Sequence, residues 1–447
     1  VNDETKRGSS RDVALAVARD VFGGSHRRAQ AAFDYRATRA GLSPRDRAFA
    51  AQLAYGAIKM RRTLDWYLAP YLRGRDQPLP APIAEALRLG VYQLRCMGGV
   101  DAHAAVFETV NAALHVGHRG TAGLVNAVLR RFIADGPPDP QRDAFPSDDD
   151  YLATRFSLPT WVVALWRARL GALLEDALAG IDRAPQAAVR VNLLRSSVDE
   201  ARAALAAQGV EVQPSPLVSD ALIVGDHPHA PLADDALERW SPQGESACIP
   251  VDLLDPRAGE LVLDLCSGRG NKAIQIASRT GDASRLTCVE LDERAAVTLK
   301  TRLTNAGATN AAVVCGDATQ LAPDTTADAV LVDAPCSGIG VLGRHPEARW
   351  RKAPGDAERH APLQRALLEA AARSLRAGGR VVYAVCSIDA RECEAIVDGF
   401  LAEHPEFARA PLPDRYTPFA TAAGDVAVAP GIEGRDGFYV ASLRRTV

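Results

Sequence analysis

Apolar residues recur at one-turn spacing through the first third of the chain and give way to short unbroken runs in the last third. Val13, Val17 and Val21 repeat every four residues, and Phe49, Leu53, Ala57 and Met60 follow the same three-to-four spacing. That period puts one apolar stripe on a helix face. Ser43-Pro44 predicts a helix start, with serine as cap, proline at the first helical position and Asp46 in the opening turn. No strand-like alternation interrupts Arg11 to Ile133, so six to eight helices are expected to form an all-α domain. Gly136-Pro137-Pro138-Asp139-Pro140 and Asp148-Asp149-Asp150 predict a polar linker after it.

Residues 151–182 read as further helices. A strand at Val189 to Leu194, a helix from about Val198 to Gln208, and short strands around Val210 and Ala221 to Val224 predict a small α+β module at about 185–245. From Gly259 onward strands and helices alternate. Strands are expected at 261–265, 286–291, 311–315, 328–333 and 380–385, with helices from about 271 and at 293–305, 356–376 and 390–403. That order implies a parallel, doubly wound α/β sheet. Asp436-Gly437 is a turn signal, and Phe438 to Ala441 predicts a late strand closing the sheet antiparallel. The expected domains are therefore 1–140, all-α; 141–245, linker helices and the α+β module; and 246–447, the α/β domain.

A chain of 447 residues fits about three domains. Its 47% hydrophobic and 24% charged content is that of a globular protein, and its apolar runs are too short to span a membrane. The amino-terminal residues lack the order of a secretory signal, which makes the cytoplasm the expected location. Net charge is only −3, but it is unevenly spread. Residues 1–135 carry 20 Lys+Arg against 12 Asp+Glu, a balance of +8, while the remainder stands at −11. A basic amino-terminal third is a plausible RNA anchor.

The eight cysteines show no C-x-x-C spacing. Cys266, Cys288 and Cys315 are expected to be small buried hydrophobes. Two others stand apart. Cys336 follows the run Ala329 to Asp333 and Cys386 follows Arg380 to Val385. If these runs are neighbouring strands, about 4.8 Å apart, both thiols emerge at the carboxyl edge of the sheet and can face one substrate. Two thiols beside a carboxylate, Asp333, suit covalent attack on an electron-poor ring.

Leu261 to Lys272 reads as a strand, a glycine-bearing turn and a helix start. Gly268 and Gly270 let a ligand approach the backbone, and Glu290, 20 residues past Gly270, ends the next strand where a carboxylate can bind ribose hydroxyls. The pattern Gly268-x-Gly270-x-x-Ala273 also fits a dinucleotide fingerprint. Asp264 argues against that, since it repels a pyrophosphate but can hold an ammonium. With Glu290 and with Asp317, placed for an adenine amine, it favours S-adenosylmethionine over NAD. The candidate cofactor-binding set is Asp264, Cys266, Ser267, Gly268, Gly270, Lys272, Glu290, Arg294, Asp317 and Asp333.

Asp333-Ala334-Pro335-Cys336-Ser337-Gly338-Ile339-Gly340, with Arg344-His345-Pro346-Glu347 and Trp350, resembles the fourth motif of the RNA 5-methylcytosine methyltransferases. Tyr383-Ala384-Val385-Cys386-Ser387-Ile388, with Glu392 and Glu394, is similar to the sixth. Leu53-Ala54-Tyr55-Gly56, Leu89 to Leu94 and Val125 to Arg130 resemble the NusB-like extension of the RsmB (Sun) branch, and Val189-Arg190-Val191-Asn192 resembles the segment that precedes the catalytic domain. The resemblance covers nearly the whole chain. The cofactor loop departs from the family's Ala-Ala-Pro-Gly-Gly-Lys, with Arg269 in place of a proline. Ile339 and Val385 stand where threonine is usual, Gly343 where arginine is common and Cys393 where asparagine is usual.

The resemblance implies a Rossmann-like methyltransferase domain behind a NusB-like RNA-binding domain. It also implies a cytosine-5 methyltransferase of 16S rRNA using S-adenosylmethionine. Cys386 would be the nucleophile at carbon 6, Asp333 would face ring nitrogen 3 and the amine, and Cys336 would assist release. Lys272 or the cofactor's sulfonium would depress the thiol pKa. Arg344, His345 and Trp350 are candidate stacking partners for an unstacked base, though His345 and Trp350 are as readily structural. Two alternatives stand: the same chemistry on tRNA, or a non-catalytic RNA-binding assembly factor. One active site per chain makes a monomer the expected state.

Overall fold

The computed structural model describes residues 8–23, 27–72, 79–225, 238–321 and 326–446. The chain divides into two compact units. The first runs to Ala164 and takes in His345–Arg351; the second holds Leu165–Arg344 and the chain from Lys352.

Among the described residues the first unit contains the expected all-α array: α1 (Ser10–Phe22), α2 (Ala29–Ala40), α3 (Pro44–Lys59), α4 (Arg61–Leu72), α5 (Ala81–Cys96), α6 (Ala102–Val116) and α7 (Arg119–Asp135). Val13, Val17, Val21, Leu53 and Ala57 are buried in its core, while Phe49 and Met60 pack at its margin. Ser43 caps α3 as read, accepting from the Asp46 N–H with Pro44 in the first turn. The unit also takes up α8 (Asp148–Arg155) and the start of α9 (Thr160–Leu170), beyond the boundary expected at residue 140. Arg62 is the reason. Its guanidinium donates to Thr154 Oγ1 at 3.1 Å, Leu158 O at 3.0 Å and Thr160 Oγ1 at 2.8 Å, and its backbone N–H to Ser157 Oγ at 3.0 Å.

The short turn Pro346–Trp350 belongs to this unit too. Trp350 Nε1 donates to Ile58 O at 2.6 Å, the Ala29 N–H donates to Glu347 Oε1 at 3.2 Å, and Arg349 reaches Phe156 O at 2.8 Å. Trp350 is thus committed to this unit's packing rather than presented as a base platform.

In the second unit, α10 (Leu174–Asp182) leads to β1 (Ala188–Val191), α11 (Val198–Ala207), β2 (Val212–Pro214), β3 (Ala221–Val224) and β4 (Trp240–Pro242). These strands form an antiparallel sheet ordered β2-β3-β1-β4. β1 stops three residues short of the expected Leu194. The Asn192 side chain donates to Glu238 O and Ala306 O, both at 2.9 Å, and turns the chain away. β2 starts at 212 because Gly209, at φ +76°, and the Val210 N–H to Leu205 O bond still belong to the end of α11. β4 is three residues long and ends in proline, too short for alternation to register. α12 (Glu245–Leu254) also went unread: it is buried almost throughout, so it shows no polar face.

The large sheet comprises β5 (Leu261–Asp264), β6 (Arg285–Glu290), β7 (Ala311–Cys315), β8 (Ala327–Asp333), β9 (Leu375–Val385), β10 (Phe407–Arg409), β11 (Val426–Val428) and β12 (Phe438–Arg445). Its order is β10-β12-β9-β8-β5-β6-β7, with β11 on β12. The run from β9 to β7 is parallel, and α13 (Asn271–Arg279), α14 (Glu293–Ala306), α15 (Asp356–Ser374) and α16 (Glu394–Glu403) connect or flank it. Val330, Leu331 and Val332 are fully buried, as a sheet covered on both faces requires. β12 pairs with β9 antiparallel, as expected, but it does not close the sheet, because β10 pairs along its other side and forms the edge. α16 begins at 394 rather than 390, since Asp389 to Cys393 form a turn closed by Glu392 N–H and Cys393 N–H on Asp389 O.

This is the doubly wound architecture read from the sequence. The chain runs outward from β5 in both directions, so the carboxyl ends of β5 and β8 bound the topological switch where such sheets bind ligands. No described helix is long and apolar enough to cross a membrane.

Candidate active site

The parallel pairing of β8 and β9 sets Asp333 opposite Ala384. Cys336 and Cys386 lie three and two residues beyond, so both leave the sheet at one edge. Their Sγ atoms are 3.4 Å apart and both side chains are half-buried, neither sealed in the core nor free in solvent. Close backbone contact seats this turn. The Gly340 N–H donates to Cys386 O at 3.1 Å and the Gly437 N–H to Gly340 O at 2.8 Å. A Cβ on Gly340 would stand 2.2 Å from Gly437 O, so any side chain there forces this backbone to shift.

The two thiols are not equivalent. Hydrogen-bond contact between the two thiols, in which either can be the donor, holds the Cys386 pKa below and the Cys336 pKa well above the ordinary thiol value; burial adds to the rise at Cys336. Lys272 and Lys352 reinforce the effect at Cys386, against burial and Asp333. Lys272 Nζ, in the first turn of α13, meets Asp333 Oδ2 at 2.5 Å. Burial opposes its charge, but Asp333 holds the ammonium pKa above its usual value. The expected Lys272 field is therefore present but second to the neighbouring thiol. Lys352 escaped the sequence reading, since it follows the Trp350 turn with no motif around it. Its Nζ and Cys386 Sγ lie 3.7 and 3.9 Å from where a Gly338 Cβ would stand.

The glycine turn after β5 is held from three sides. Ser267 N–H donates to Val289 O at 3.0 Å, Gly268 N–H to Glu290 Oε2 at 2.8 Å, and Ser267 Oγ to Asp264 O at 3.0 Å. Gly268 and Gly270 take φ values of +53° and +83°, which favour glycine. At Arg269, where the resemblance expects a proline, a guanidinium holds the turn. Arg302 of α14 donates to Arg269 O and, at 2.8 Å, to Asn271 Oδ1. No local sequence signal marks Arg302, because its partners lie a helix away.

Asp264 is 1% exposed, and neither of its carboxylate oxygens has a hydrogen-bond partner among the described residues. Burial, then the charge of Asp333, raises its carboxyl to about 7. Glu290 accepts the Gly268 and Asp292 N–H groups at the end of β6. Asp317, past β7, is exposed, and its Oδ1 accepts from the N–H and hydroxyl of Thr319, which lower its pKa. Asp264, Glu290 and Asp333 end the neighbouring strands β5, β6 and β8, Cys266, Ser267, Gly268 and Gly270 form the turn after β5, Lys272 opens α13, and Asp317 lies one strand further out. Arg294 is not drawn in. It is exposed in the first turn of α14, and no described hydrogen bond or ion pair joins its side chain to the others.

Two other expectations need correcting. Cys288 is buried and Cys266 half-buried, but Cys315 is exposed, because β7 is the sheet edge and has no strand beyond it among the described residues. Arg344, a candidate base-stacking residue, is tied instead to Asp436 and, at 2.9 Å, to Gln186 O.

Comparison with known proteins gives three matched segments: the NusB family over residues 9–134, a ferredoxin-like domain of RsmF/B-like methyltransferases over 158–229, and 16S rRNA methyltransferase RsmB/F over 251–444. Ribosomal RNA small subunit methyltransferase B of Thermus thermophilus is 35% identical across 98% of each chain. The probable ribosomal RNA small subunit methyltransferase B of Bacillus subtilis is 30% identical across 90% of this chain and 92% of its own. The crystal structure of PH0851 shares the fold with a TM-score of 0.82 at 24% identity, covering 98% of this chain and 99% of that one. With relatives matched over nearly their whole length and the paired cysteines beyond the carboxyl ends of β8 and β9, the chain belongs to the RsmB/F family of 16S rRNA methyltransferases.

Proposed function

We propose that the protein transfers a methyl group from S-adenosylmethionine to carbon 5 of a cytosine in 16S rRNA, with Cys386 as covalent nucleophile. The observation that carries this reading is the pair of half-buried thiols 3.4 Å apart beside the Lys272–Asp333 pair. Carbon 5 of cytosine is a poor nucleophile. A thiolate adding to carbon 6 makes it enamine-like, which is covalent catalysis. Cys386, the more acidic thiol, takes that role. Asp333 faces ring nitrogen 3 and the amine. Solvent takes up the carbon-5 proton, the electrons of that bond re-form the ring double bond, and the carbon 6–sulfur bond breaks to expel the Cys386 thiolate, a release that Cys336 assists.

The residues present fit the cofactor. The orphaned Asp264 carboxylate suits its ammonium, Glu290 its ribose hydroxyls and Asp317 its adenine amine. When bound, the cofactor supplies an electrophilic methyl group. In our reading residues 1–140 dock RNA through phosphate contacts, 141–245 connect, and 246–447 carry the chemistry. The protein acts as a monomer in the cytoplasm.

The test is methyl transfer to small-subunit rRNA, followed by bisulfite sequencing to find the base. Cys386→Ala should abolish transfer, and Cys336→Ala should accumulate a covalent RNA–protein complex. Wild-type turnover by Cys386→Ala overturns the assignment. RNA binding without cofactor binding in calorimetry would support an assembly factor instead, and modified tRNA would move the substrate.

A further inference from the structure

Glu392 is a carboxylate with no exposed surface, and its partners are the residues that follow the two active-site cysteines. Oε1 accepts the Ser337 N–H at 2.7 Å and Gln364 Nε2 at 3.2 Å. Oε2 accepts the hydroxyls of Ser337 and, at 2.7 Å, Ser387, which are themselves 3.2 Å apart. Gln364 also donates to Pro335 O at 2.9 Å, just before Cys336. The Tyr383 hydroxyl donates to the Glu392 carbonyl at 2.7 Å and fixes the turn that presents the carboxylate.

Two loops from different strands therefore end on one carboxylate. Among the described residues no lysine or arginine forms an ion pair with it. The nearest basic group is His360, whose Nδ1 is 3.9 Å from Oε1 but 2.7 Å from Asp356 O. Burying a carboxylate without a strong cationic partner is costly, and an apolar residue would fill the space at less expense. The hydrogen bonds are directional, and they leave little freedom to the peptide on the far side of either cysteine.

We propose that Glu392 is a positioning residue that sets the separation of the Cys336 and Cys386 thiols by bridging Ser337 and Ser387. The proposal rests on the reading that both thiols serve one reaction. Glu392 touches neither sulfur and acts through the two serines. The bridge needs acceptors more than it needs charge. A glutamine can keep its carbonyl toward the Ser337 N–H and Gln364, and turn its amide toward two hydroxyls free to rotate and accept.

The test compares Glu392→Ala and Glu392→Gln in the full chain, with circular dichroism to confirm folding. Thiol spacing is read directly by diamide. It takes one hydrogen from each thiol, is reduced to the hydrazine, and leaves a Cys336–Cys386 disulfide seen by mass spectrometry. Glu392→Ala should slow this cross-link at least about tenfold, since disulfide geometry tolerates little misplacement. It should lower kcat on the order of 100-fold with little change in cofactor KM, the effect of misplacing reacting groups by about 1 Å. Glu392→Gln should restore both readouts most of the way.

A folded Glu392→Ala protein that cross-links and turns over like wild type overturns the proposal. So does a Glu392→Gln protein as impaired as the alanine variant, because charge would then be what matters. If Glu392→Ala does not fold, the double variant Ser337→Ala, Ser387→Ala removes the hydroxyl bonds alone. It should slow both readouts in the same direction, and unchanged cross-linking overturns the bridge. If no form transfers methyl groups, the proposed function fails while the cross-linking rates still decide the role of Glu392.

Discussion

Replacing Asp264 by asparagine should make the cofactor-free protein more stable at pH 8 and worse at binding S-adenosylmethionine. The carboxylate is buried without a hydrogen-bond donor among the described residues, and its pKa stands at about 7 against an ordinary 3.8. A displacement of about three units corresponds to roughly 4 kcal/mol at 1.36 kcal/mol per unit. The sign follows from proton binding. Between pH 4 and 7 the folded protein holds a proton that the unfolded chain has lost, so stability falls as pH rises through that window. Above 7 the loss is complete. Asparagine escapes it but leaves a buried amide unpaired, which costs about 1–3 kcal/mol. The net gain at pH 8 is therefore about 1–3 kcal/mol, and by pH 4, where the carboxyl is neutral and only the cost of the amide remains, it turns into a loss of about 1–3 kcal/mol. Losing a hydrogen bond between charged groups should weaken cofactor binding by about 10- to 100-fold, equivalent to 1.5–3 kcal/mol. Wild-type affinity should tighten as pH rises toward 7 and then level off, while the variant's stays flat. Scanning calorimetry and titration calorimetry from pH 5 to 8 read both quantities. A variant less stable than wild type at every pH, with unaltered cofactor affinity, would refute the reasoning.

Lys352→Met should raise the pH midpoint of Cys386 alkylation by iodoacetamide by less than about one unit, because it removes one of several influences on that thiol. An unmoved midpoint would show that the ammonium does not reach the sulfur. Arg302→Ala should weaken S-adenosylmethionine binding about threefold to tenfold with kcat nearly preserved, since it loosens the turn at Arg269 and Asn271; equilibrium dialysis measures it. Gly340→Ala should destabilise the second unit by about 1–3 kcal/mol in urea denaturation, because its methyl group collides with Gly437 O. RNA affinity should fall steeply with salt, and a flat log–log plot would exclude docking through phosphate contacts.

Much of this protein is local, and local properties can be read from the chain. The one-turn spacing of Val13, Val17 and Val21 decides a helix face without reference to anything distant. The Ser43-Pro44 start is settled within four residues. The strand runs before Cys336 and Cys386 are apolar enough to require burial on both faces, which makes a parallel sheet the natural home for both. Periodicity faltered where a segment's environment came from elsewhere. α12 shows no stripe because it is surrounded, and β4, β10 and β11 are too short to alternate.

The candidate site divides along the same line. Residue types and strand ends placed the two thiols, Asp333 and the acids of the glycine turn in the sequence. What they do to one another was decided by tertiary contact. Cys336 and Cys386 stand 50 positions apart in the sequence, while the fold leaves 3.4 Å, and that contact lowers the pKa of Cys386 while raising that of Cys336. Arg302 tethers the turn that lacks a proline, Lys352 stands beside Cys386, and Glu392 joins both cysteine loops, each across a separation no local pattern encodes. Hydrophobic periodicity selects elements because it depends on near neighbours. Hydrogen bonds and shifted acidities depend on which distant neighbours the packed chain brings within about 3 Å.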